Sequence, residues 1–157
     1  MSRQADFDLS AAHRHFAVEC FNQAWELMDK AQRTPDEDEQ MIRLSLASHW
    51  HWTQRAACTE ENISAAYWQT SRIYAMLGQA ENARRYARLC LEASRDDSLP
   101  PFCLGYAYEA LARAESVAGD QTQMSEYLRE AQRVTETITD PDTKQMLLAD
   151  LETIKSI

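Results

Sequence analysis

Four histidines carry the most suggestive chemistry in this chain, and they come as two pairs: His13 and His15 in AHRHF, His49 and His51 in SHWHWTQR. Imidazoles ligate zinc, copper and nickel, and they move protons near neutral pH. Spacing decides whether a pair can act together. Residues two apart on a helix point about 200° apart around its axis, so neither pair can grip one ion. A metal site would need one imidazole from each segment and a carboxylate, for example His15 and Glu19 (spaced i, i+4) with His51. The bland reading, hydrogen-bonded or exposed histidines, is the expectation. No metal and no other cofactor is anticipated.

Other chemistry is thinner. Cys20, Cys58, Cys90 and Cys103 are dispersed without CxxC spacing, and three of them sit among apolar neighbours, as reduced thiols do. The carboxylate run DEDE reads as a solvated first helical turn rather than an acid–base pair. There is no Gly-rich phosphate loop, no HExxH, no nucleophile elbow, and no Cys near a His in a catalytic spacing. Enzymatic activity is not expected.

The elements that must position these residues are helices. With 157 residues the chain suits one domain, taken here as 1–157, and only 3 Gly and 4 Pro interrupt it. Sixteen basic residues against 25 acidic give a net charge of −9, which repels phosphate backbones and argues against nucleic acid. No apolar run approaches the ~18 residues of a membrane span. MSRQADFDLSAAHRHF places charges where a signal peptide needs an apolar core, so a cytoplasmic location is expected.

Punctuation marks seven helices, near 9–32, 35–56, 60–77, 79–96, 100–118, 121–138 and 141–155. Thr34 with Glu37 spells a capping box, Asp120 with Gln123 another, and Asp140 before Pro141 a further start. Gly78 and Gly119 follow apolar-periodic segments, as left-handed terminal glycines do. On the first helix Phe16, Ala17, Cys20, Phe21, Ala24, Leu27, Met28 and Ala31 share one arc. On the second, Met41, Leu44, Ser45, Ser48 and Trp52 share a face. That makes Trp52 a core anchor and leaves Trp50 as a contact residue or one covered by a neighbouring helix.

A shift of 41 residues lays AAYWQTSRIYAMLG over YAYEALARAESVAG, matching Ala66 with Ala107, Tyr67 with Tyr108, Arg72 with Arg113 and Gly78 with Gly119. Downstream, Tyr86 falls on Tyr127 and Arg88 on Arg129. The repeated unit is a helical hairpin. Tyr108, Leu111, Ala112, the turn Gly119-Asp120, Tyr127, Leu128 and Ala131 follow in the order of the tetratricopeptide repeat, which this segment resembles. Tyr67, Ser71, Tyr74, Gly78, Ala83, Tyr86, Ala87 and Cys90 follow it more loosely.

The resemblance implies an all-α fold: antiparallel hairpins near 9–56, 60–96 and 100–138, stacked as a right-handed α-solenoid and closed by a capping helix near 141–155. It further implies a groove that holds a protein or peptide, lined by Ala65, Trp68, Arg72, Ala75 and Met76, and by Tyr106, Glu109, Arg113, Ser116 and Val117. His15, Asn22 and Glu26 would extend it along the first helix. Arg72 and Arg113 would meet a partner's carboxylate, since a guanidinium fork matches that group. Against this stands a structural ion network in which Glu109 pairs with Arg113, four residues on, and with Arg72. Two further readings stand beside the binding module. One is a small-molecule- or metal-binding helical enzyme at the His15, Asn22 and His51 neighbourhood; the other is a homodimer associating through Trp50.

Overall fold

Helices begin where the sequence supplies a partner for the first orphaned amides. In the computed structural model, which describes residues 7–154, seven helices and no strand occur among the described residues: α1 (Leu9–Met28), α2 (Pro35–Thr53), α3 (Glu60–Met76), α4 (Ala80–Ala93), α5 (Pro101–Ala118), α6 (Gln121–Glu136) and α7 (Pro141–Glu152). Thr34 and Glu37 close the reciprocal capping box on α2. Asp120 and Asp140 accept from the amides of Gln123 and Thr143. Gly78 and Gly119 take φ of 71° and 80°, the left-handed conformation that a side chain disfavours.

The helices fall into two compact units, Met1–Thr59 and Glu60–Ile157. In the first, α1 and α2 pack antiparallel. Ser48, fully buried, donates its hydroxyl to the Ala17 carbonyl at 2.7 Å. The helix expected to reach residue 32 stops at Met28, and Ala31 lies outside it, exposed. Arg33 explains the early stop. Its guanidinium folds back onto the carbonyls of Leu27, Met28 and Lys30 at 3.3, 3.5 and 3.2 Å, satisfying helix-end acceptors that a glycine turn would otherwise manage. The face expected of α2 is largely observed, with Met41, Ser45 and Ser48 buried. Trp52 departs from it: the ring is half-buried, with the Arg55 guanidinium 5.7 Å from its centroid.

In the second unit α3 pairs with α4 and α5 with α6, and α5 also packs on α3, α4 and α7. The 41-residue step is written into the contacts. Gly78 and Gly119 donate to Ala75 and Ser116 at 3.1 and 3.2 Å; Gln79 and Asp120 donate to Tyr74 and Glu115 at 2.9 and 3.0 Å. Tyr67 meets Tyr86 at 6.3 Å between centroids, and Tyr108 meets Tyr127 at 6.4 Å. Ser94 and Thr135 each bond the carbonyl four residues back at 2.7 Å. The same step in the sequence carries Glu109 onto Asp150 of α7.

Leu147 and Leu151 of α7 are buried with Ala131 and Ile138, under Phe102 and Tyr106. Each leucine contributes roughly 1.5–3 kcal/mol by leaving water. Gly105 lets α7 come this close, because a Cβ there would lie 2.6 Å from Leu147 Cδ2.

Candidate functional site

Five of the seven candidate binding residues gather around two carboxylates, Glu109 and Asp150: Trp68, Arg72 and Arg113 bond Glu109, itself the fourth, and Tyr106 bonds Asp150. Glu109, with no exposed surface, sits mid-way along α5. It accepts from Trp68 Nε1 at 2.8 Å, from Arg72 at 2.9 Å, and from Arg113 Nε at 2.8 Å. Trp68 lies 41 positions before Glu109 and Asp150 41 after, so three successive register positions line up across α3, α5 and α7. Arg72 approaches Asp150 at 3.7 Å, and the Tyr106 hydroxyl donates to Asp150 at 3.0 Å. Arg113 reaches the end of α7, donating to the Asp150 carbonyl at 3.0 Å and the Thr153 hydroxyl at 2.7 Å. A cation at that place also answers the negative end of the helix dipole.

Two guanidinium groups therefore face two carboxylates. Burial lowers the Arg72 pKa and Glu109 opposes that shift, so the cation is held by its anion. Burial raises the Tyr106 pKa, and Asp150 beside it pushes the same way, so the phenol stays a donor. Both arginine side chains keep some contact with water, at 17% and 14% exposure. The ring of Trp68 stands edge-on to Tyr106 at 5.3 Å and receives the Arg72 guanidinium at 5.9 Å from its centroid. The geometry of the internal ion network weighed from the sequence is present, with Asp150 as an additional member.

Beside this cluster opens a cleft of about 210 Å³, lined by Ala75, Met76, Arg113, Ser116, Val117 and Thr153 among others. Five of those six were assigned to a groove by the tetratricopeptide resemblance. Asp150 and Thr153 were not read from the sequence as site residues. A signal for Asp150 existed: one more 41-residue step from Glu109. Thr153 carries no such mark.

The other two candidates, His15 and Asn22, are exposed on α1 in the first unit. His15 turns its ring to Phe16 at 5.3 Å; it is His13 whose Nδ1 lies 2.8 Å from that of His51. The interhelical histidine pair thus uses His13, about 200° around α1 from the His15 expected. Among the described residues no group of three or more His, Cys, Asp or Glu could hold a metal ion, and no helix is long and apolar enough to cross a membrane. The four cysteines are thiols not joined in disulfides; burial raises Cys90 to about 12 and Cys103 to about 11, leaving both protonated and unreactive. Compared with known proteins, the chain matches no family model, no curated protein and no solved structure.

Proposed function

We propose that the chain is a non-enzymatic, tetratricopeptide-like binding module, stacked as an α-solenoid, that holds a protein or peptide against the face of α3, α5 and α7. The observation that carries this reading is the cleft beside Arg113. It combines apolar walls from Ala75, Met76 and Val117 with a guanidinium at its edge, which suits an apolar side chain lying next to a carboxylate. The inward-facing carboxylates Glu109 and Asp150 fix the two arginines in place, so the cationic edge is preorganised rather than mobile. Cysteines not joined in disulfides accord with a reducing, cytoplasmic setting for this module.

The test must separate binding from folding, because truncating either arginine leaves Glu109 under-compensated. Met76 is 38% exposed at the cleft wall and takes no part in the ion network. Met76→Glu is expected to keep the thermal midpoint of the parent protein. It should also lose the proteins that the parent captures from native lysate. Capture of the same proteins by a folded Met76→Glu variant would remove the cleft from consideration.

A further inference from the structure

The paired imidazoles of the first unit are used by none of this. His13, in the second turn of α1, and His51, in the last turn of α2, bring Nδ1 atoms to 2.8 Å. One ring must donate and the other accept, so at least one is neutral. Besides each other, the two rings meet aromatic neighbours. Trp50 stands edge-on to both, at 5.5 and 4.9 Å between centroids, and Phe16 lies 5.4 Å from His51.

We propose that His13 and His51 form an interhelical chelate for a divalent transition-metal ion of tetragonal preference, copper(II) first, with solvent in the remaining positions. Two nitrogens in adjacent positions of a square plane, each ~2.0 Å from the metal, stand ~2.8 Å apart, whereas tetrahedral zinc spreads them to about 3.3 Å. The observed separation fits the first geometry without moving the helices. The rings alone turn, so that lone pairs now facing each other face the ion. The balance is simple. The proton on the donor Nδ1 passes through solvent to that ring's Nε2, both Nδ1 lone pairs bind the metal, and no net proton is released.

Trp50 supplies a reporter, because a paramagnetic ion between its two histidine neighbours quenches indole fluorescence. Untagged protein is titrated with copper(II) sulfate while fluorescence and electron paramagnetic resonance are recorded. One equivalent is expected to quench, with nitrogen hyperfine structure from two imidazoles; nitrogen structure also separates this site from thiolate binding. His13→Gln and His51→Gln, verified as folded by circular dichroism, should each weaken binding at least ~tenfold. Trp50→Phe should keep the resonance spectrum while losing quenching, His49→Gln should bind like the parent, and zinc(II) should bind more weakly than copper(II). Absence of a stoichiometric copper signal, or parent-like affinity in either glutamine variant, overturns the assignment. Neither outcome bears on the cleft of the second unit.

Discussion

A carboxylate stripped of water survives in a protein interior only when donors replace the lost hydration, and Glu109 shows how completely that can be arranged. An indole N–H and two guanidinium groups reach it from α3 and from its own helix. Glu109→Ala strands two half-buried cations that now share an anion, and such a loss costs about 3–5 kcal/mol. Glu109→Gln keeps the volume and one acceptor oxygen, so it should cost less than the alanine change. Urea denaturation of the three proteins checks the order. A Glu109→Ala variant within 1 kcal/mol of the parent would mean that the ion cluster is not holding the helices together.

At the scale of elements, the docking of α7 turns on Gly105. A methyl group there meets the end of Leu147, a side chain with no exposed surface and little room to yield. Alanine gains up to ~1 kcal/mol in helix propensity over glycine, but overpacking a filled interior costs ~1–3 kcal/mol. Gly105→Ala is therefore expected to destabilise the protein by about 1 kcal/mol and to speed amide exchange selectively in 141–152. Unchanged exchange there would show that α7 does not rest on this contact. Helix starts such as Thr34, Asp120 and Asp140 were legible because a cap bonds within three residues. The end of α1 was not, because Arg33 reaches back by a flexible side chain that no local pattern announces. Trp52 misled for a related reason: helical phase gives a face, but the depth of a residue on that face depends on what packs over it. The histidine pairing His13–His51 was likewise beyond reach, since sequence fixes angles around each helix but not the register between two.

Across the whole molecule, the 41-residue step connects the scales. It was visible as matched tyrosines, arginines and glycines, and it returns as matched turns, ring pairs and hydroxyl bonds. One further step reaches Asp150, placing it in line with Trp68 and Glu109. Repetition of this kind leaves stability unevenly distributed, because a middle helix has neighbours on several sides and an outer one has few. Within its unit α5 packs on α3, α4, α6 and α7, and nine of its residues are buried; α1 buries three. Opening α5 must break the Glu109 cluster, the Arg84–Glu115 pair and the tyrosine contacts together. Exposing α1 amides requires much less. Hydrogen exchange followed by mass spectrometry is thus expected to find α5 the most protected helix and α1 among the least, with α5 exchange approaching the rate set by global unfolding. Equal protection of α1 and α5 would contradict this gradient, because it would require the sparsely buried helix to open only when the densely buried one does.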